Sequence, residues 1–282
     1  MPPFLDHLIL FLPSTPHQTP LLPPSLTHSF TLTPGGRHAG NLTANTLILL
    51  SDGCYIELIS FITSDPSLVA SHWWGPDPAR RGWTDWCLIT PGTSASENYK
   101  SISETHATPV SGGRKRPDGK EVTWSVTFPS SANGGQAIRG KIPFFCHDTT
   151  PRDLRVPLSD ESTTHPCGAF GVKSFTVILK GKEDVETTAG TYSKMFGVEG
   201  EKKGDEVVFK LGRVNEVEGL GGGPSVVLRT ARDKVEESKV KGKGFWFGDV
   251  VLAAKGKEGE VGKKERVDIG EDDVEGLWIE YV

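Results

Sequence analysis

The chain has 282 residues, with 36 acidic side chains against 31 basic ones and a formal net charge of -5. That length allows two compact units or one large one, and the acidic balance argues against a dedicated nucleic-acid surface, which is basic overall. No apolar run reaches the roughly 18–20 residues that span a bilayer, and the N-terminal apolar stretch has neither a basic flank nor a small-residue cleavage site. The expectation is a soluble, cytoplasmic protein without membrane or nucleic-acid partners.

Residues 4–11 are apolar without helical period, which predicts a buried strand with Leu5, His7, Ile9 and Phe11 on one side. Prolines through Pro24 preclude a long helix, and residues 26–30 read as the entry to another strand. Pro34-Gly35-Gly36 marks a turn, and residues 45–50 and 55–61 form strands joined at Asp52-Gly53. A tryptophan-rich loop follows at 72–82, then a strand at 85–90 and a helix at 96–106 capped by Ser94 or Ser96. Residues 121–128 alternate, placing Val122, Trp124, Val126 and Phe128 on one face, and 142–146 form a short strand.

Residues 149–164 are polar and contain Pro151 and Pro157, so they predict a linker and a boundary near residue 160. Beyond it come a strand at 173–179, a helix at 185–196 ending at Gly197, and strands at 206–211, 225–229, 245–254 and 277–282. The lysine- and glutamate-rich residues 255–275 read as a solvated loop. The strand-helix-strands order recurs three times, an α+β pattern. Cys54, Cys87, Cys146 and Cys167 form no CxxC pair, which predicts reduced thiols. Residues 219–223 lack the GK[ST] ending of a phosphate loop, and no GxSxG elbow is present.

Leu5-Asp6-His7-Leu8-Ile9, Gly36-Arg37-His38, Thr43-Ala44-Asn45-Thr46-Leu47 and Asp52-Gly53-Cys54-Tyr55-Ile56-Glu57 together resemble the opening module of the glyoxalase-like domain family. That family lies in the vicinal-oxygen-chelate (glyoxalase, bleomycin-resistance and dioxygenase) superfamily. Gly113-Arg114-Lys115-Arg116-Pro117-Asp118-Gly119, Trp124 and Ile142-Pro143-Phe144-Phe145 are similar to its second module, and the resemblance covers most of residues 4–180. It implies repeated βαβββ modules whose curved mixed sheets surround a concave pocket. Residues 1–160 would hold two modules and 161–282 a third, pairing either within the chain or across a homodimer.

The resemblance further implies a divalent metal, with His7 and Glu57 at the matching positions of the first and last strands. Imidazole and carboxylate suit zinc, manganese, iron or nickel, but a catalytic centre takes about three protein ligands. The second-module position read as the match for His7 is Trp86, which cannot ligate, so His147, sharing strand parity with Phe145, is the candidate third ligand. Glu57 and His38 are the catalytic candidates. Thr43, Asn45, Trp86, Arg114 and Trp124 are the substrate-binding candidates, Arg114 because a guanidinium forks onto a carboxylate. Core packing of the tryptophans, a hydrogen-bonded structural His7 and an arginine-paired Glu57 are the bland alternatives. The implied function is a small-molecule lyase, isomerase or dioxygenase acting on a carbonyl-containing or aromatic metabolite. The alternative is a non-catalytic binding protein of the bleomycin-resistance kind.

Overall fold

Hydrophobic alternation along eight strands builds the first half of the molecule. In the computed structural model, which describes residues 1–77, 80–256, 259–268 and 274–282, β1 (Phe4–Phe11) leads through helix α1 (Pro24–Ser29) into β2 (Thr33–His38), β3 (Thr43–Leu49) and β4 (Tyr55–Phe61). A one-turn helix, α2 (Pro66–Val69), precedes the second run: β5 (Gly82–Ile89), α3 (Ala95–Ile102), β6 (Val110–Lys115), β7 (Glu121–Thr127) and β8 (Phe144–Asp148). The eight strands close into a barrel in the order β1-β4-β3-β2-β6-β7-β8-β5. In each run the first strand lies parallel to the last, β1 with β4 and β5 with β8, while β1 and β5 run antiparallel. This is a mixed α+β fold of curved sheets, as the residue pattern predicts.

Short helices α4 (Arg152–Arg155) and α5 (Asp160–Thr163) lead to a second, seven-stranded sheet. It contains β9 (Ala169–Leu179), β10 (Glu201–Lys203), β11 (Glu206–Lys210), β12 (Ser225–Thr230), β13 (Phe245–Ala254), β14 (Lys264–Arg266) and β15 (Leu277–Tyr281) in the order β10-β11-β12-β9-β13-β15-β14. Helix α6 (Lys182–Phe196) ends at Gly197, whose φ of 66° is the left-handed closure that glycine adopts without strain. Helix α7 (Lys234–Val240) precedes β13. No described helix is long and apolar enough to cross a membrane.

Period-two alternation decides which face each side chain serves. On β1, Ile9 and Phe11 point into the barrel beside Ile59, Phe61, Trp74 and Phe144. Leu8 and Leu10 point outward into a core shared with Trp86, Phe175, Tyr192, Phe196 and Phe247, which binds the barrel to the second sheet.

Several local expectations change. Residues 26–30 enter no strand, because Pro23 and Pro24 set up the first turn of α1 instead. Pro34-Gly35-Gly36 lies within β2, where an irregularity in its pairing with β3 absorbs the glycines. The stretch 149–164 is no loose linker: Arg155 is buried in the barrel wall. Within residues 255–275, Lys264–Arg266 is an edge strand on β15, while 257–258 and 269–273 lie outside the described residues.

Candidate functional site

The barrel encloses a cavity of about 350 Å³ at whose polar end Glu57, on β4, is the central group. Asn45 on β3 donates its amide to Glu57 Oε1 at 2.7 Å. His7 Nε2 lies 3.7 Å from Glu57 Oε2, and His38 Nε2 lies 3.4 Å from Oε1. Asn45 fits because residue 35 is glycine, where a Cβ would stand 2.0 Å from Asn45 Oδ1. Arg114 on β6 donates to Asn45 Oδ1 at 3.3 Å and to the Arg155 carbonyl at 2.8 Å, and its buried Nε has no partner among the described residues. Trp73, Trp124, Phe128 and Phe144 form the apolar wall, and the absence of a side chain at Gly112 leaves room for the Trp124 indole.

Two arginines, half-buried Arg152 and buried Arg155, set the state of Asp6 beside His7. Burial alone would raise the Asp6 carboxyl, but Arg152 and Arg155, then His7, hold it well below the usual carboxylate range. Asp6 is therefore ionised and can only accept, so His7 Nδ1 donates to it at 2.9 Å. Arg155 also donates to Asp148 at 2.9 Å and to the Tyr55 hydroxyl at 2.8 Å, and Tyr55 stacks on His7 at 4.6 Å. On the far side of Glu57, His38 Nδ1 meets Thr43 Oγ1 at 2.8 Å. Burial, only partly opposed by Glu57, lowers the His38 pKa, which favours neutral imidazole.

The sequence profile of the glyoxalase-like domain family matches residues 5–196. The chain belongs to the glyoxalase-like domain family. It thereby falls within the vicinal-oxygen-chelate superfamily. Among solved structures, a hypothetical protein from Staphylococcus aureus is similar with a TM-score of 0.67 at 14% identity, covering 99% of this chain and 100% of that one. A mutant of 4-hydroxymandelate synthase from Streptomyces coelicolor is similar with a TM-score of 0.50 at 9% identity, over 91% of this chain and 72% of that one. At such identities the likeness is one of fold. No curated protein sequence matches the chain.

The glyoxalase-like barrel gathers His7, His38, Thr43, Asn45, Glu57, Arg114 and Trp124 around one cavity. It does not gather Trp86 or His147. Trp86 points outward, is fully buried against Phe175 at 4.9 Å and donates Nε1 to the Gly140 carbonyl at 3.1 Å, so it packs the core and cannot meet a ligand in the cavity. His147 does share parity with Phe145, but that parity is the outward one. It pairs across from Ser125 and borders a surface cleft beside Thr90 and Ser94, which corrects its place as third ligand.

The register supplies the true counterparts. His7 lies opposite Tyr55 with Glu57 two residues on; Cys87 lies opposite Phe144 with Cys146 two residues on. The second-run equivalents of His7 and Glu57 are thus Cys87 and Cys146. Reading Trp86 as the match was a slip of one residue, which in a strand reverses the face. Arg155 was missed altogether, while Asp6 and Tyr55 stood in the motifs without a role in the site.

Two donor sets could be asked to hold a divalent cation. Asp6, His7 and Cys87 bring ligand atoms within 4.8 Å of one another, but Asp6 is already neutralised by Arg152 and Arg155, and burial raises the Cys87 thiol well above its usual range. That set does not suit a cation. In the other set, His7, His38 and Glu57, Asp6 and Thr43 occupy the two Nδ1 atoms and leave both Nε2 atoms turned to the carboxylate, although the three ligand atoms do not all lie within 4.8 Å of one another. With Nδ1 of His7 donating to Asp6, its Nε2 faces Glu57 Oε2 across a gap of 3.7 Å that a proton or a cation would bridge. A carboxylate behind a ligating histidine is also the usual orienting partner at metal centres.

Proposed function

We propose that the barrel is the active site of an enzyme acting on a small carbonyl-bearing metabolite, with a divalent cation held by His7, Glu57 and His38. The observation that carries this reading is the approach of His7 Nε2 to Glu57 Oε2 at 3.7 Å in the barrel cavity. When bound, the cation supplies Lewis-acid polarisation of the substrate carbonyl. Glu57, fixed by Asn45 through Oε1, is the carboxylate that would take up a proton from the carbon next to that carbonyl, the step shared by isomerase and lyase chemistry. Arg114 turns an anionic substituent of the substrate toward the polar end. The aromatic wall excludes water and accepts the planar or apolar part of the molecule. In this reading residues 1–160 are the catalytic unit and 161–282 a unit packed against it.

The test is α-proton exchange in D2O with a panel of 1,2-dicarbonyl and 2-hydroxyketone compounds, read by NMR on metal-supplemented protein. Wild type should exchange at least one compound, Glu57→Gln should not, and substitution of the exposed His17 by Ala should change nothing. The second reading, sequestration without chemistry, draws on the stacked Trp73 and Phe128 rings at 4.1 Å. Ligand binding that survives chelation, with no exchange of any compound, would favour it.

A further inference from the structure

A second cleft, of about 480 Å³, lies where the barrel meets the second sheet, between the start of β5, the residues before β8 and the segment joining α7 to β13. Its cationic lining is Arg81, Arg139, Lys239 and Lys243, and its acidic lining is Glu275. Glu275 is already engaged by Lys239 at 3.0 Å, and Lys239 also lies over the Trp246 ring at 4.2 Å. Lys243 has no hydrogen-bond or ion-pair partner among the described residues.

Donors without acceptors accumulate along the same wall. Arg139 is 6% exposed; it donates to the Trp73 carbonyl, yet its Nε is buried without a partner among the described residues. The indole Nε1 of Trp83, another wall residue, is likewise buried and unpartnered. Crowding of like charge is visible on Arg139, whose pKa burial and then Arg80 bring down to about 10, with Asp85 opposing.

We propose that this cleft binds a small phosphate-bearing anion, at a site separate from the barrel cavity. A phosphoryl group matches it because several acceptor oxygens and more than one negative charge meet several fixed donors at once, and arginine and lysine are the usual partners of phosphate. The ligand would sit between the two halves of the molecule, with Arg139 on the barrel side and Lys243 on the side of the second sheet.

Titration calorimetry of the full chain with inorganic pyrophosphate, at constant chloride, tests the proposal. Saturable one-to-one binding is expected, weakened roughly tenfold by Lys243→Gln and lost in Lys243→Glu. Lys100→Gln, on the exposed end of α3, and Arg114→Gln, inside the barrel, should leave it unchanged. Absence of saturable binding overturns the site. So does a loss as large with Lys100→Gln, which marks diffuse attraction, or a loss with Arg114→Gln, which places the anion in the barrel.

Discussion

The two halves of the chain use related strand orders to different ends. In the second sheet β9-β12-β11-β10 repeats the arrangement of β1-β4-β3-β2, and β13-β15-β14 repeats β5-β8-β7, with no counterpart of β6 or α3 among the described residues. The first half closes; the second stays open, and its edges β10 and β14 carry Glu201-Lys202-Lys203 and Lys264-Glu265-Arg266, charges that discourage pairing with another chain. In the open sheet the charged groups satisfy one another: Arg229 with Glu236 at 2.6 Å and with Asp249 at 3.2 Å, and Lys173 with Glu280. Inside the barrel, the polar partners of Glu57 among the described residues are Asn45 and two imidazoles. Closure makes an interior, and there a carboxylate is left without a direct cationic partner.

Substitutions on the two faces of the barrel wall should separate most widely. Trp86→Ala, removing a fully buried ring from the core between the halves, should cost about 3–5 kcal/mol in denaturant unfolding. Trp124→Ala, on the half-buried cavity side, should cost less than about 1 kcal/mol and show instead as weakened ligand binding. Equal losses from the two would erase the distinction between packing face and cavity face. Arg155→Met, which leaves Asp6 and Asp148 to share Arg152 alone, should likewise cost about 3–5 kcal/mol. A variant as stable as wild type would mean that the buried ion-pair cluster does not brace the barrel.

Asp85 gives a pH-dependent contrast. Burial, only partly offset by hydrogen bonds from the Gly140 and Trp86 amides and the Trp73 indole, raises its pKa to about 7. In the unfolded chain the value is about 3.9, so the folded state holds the proton more tightly. The contribution of Asp85 to stability is then greatest below about pH 4 and falls as pH rises to about 7, by on the order of 4 kcal/mol. Asp52, which burial raises to about 6, adds a slope of the same sign that ends nearer pH 6. Asp85→Asn should therefore flatten the decline between about pH 6 and 7 and roughly halve it between about pH 4 and 6, where the Asp52 slope remains; urea unfolding across that range measures the difference. The smallest effect belongs to His147→Leu. Both ring nitrogens of this buried side chain lack partners among the described residues, so the change should stay within about 1 kcal/mol and leave metal content untouched.

Strand positions and most of their inward sets were legible because alternation is a local signal: residues 4–11, 55–61 and 121–128 predict β1, β4 and β7, with His7 and Glu57 on one face, although a register shift between Leu5 and His7 sends Leu5 to the outward core instead. The glycine and polar cluster from Gly35 to Asn45 pointed at the site as well, since small residues there let Asn45 reach Glu57. What failed was non-local. No short-range signal tells that Arg155, from a proline-flanked polar stretch, reaches Asp6 some 149 positions away. Nor does parity alone tell that Phe145 and His147 face outward, because the inward face of β8 is set by its pairing with β5 and β7. His106, read in a polar helix, instead lies buried just past α3, bonded to the Pro143 carbonyl at 2.9 Å.

The central claim is that His7, His38 and Glu57 form a cation centre, and elemental analysis with zinc titration of protein purified without added metal tests it most directly. Wild type should bind one divalent ion per chain. His7→Ala and Glu57→Gln should stay folded and lose it, because too few ligands remain, while the exposed-site variant His17→Ala and the outward His147→Leu should retain it. Wild-type protein that contains no stoichiometric divalent metal and takes up none on titration would contradict the account.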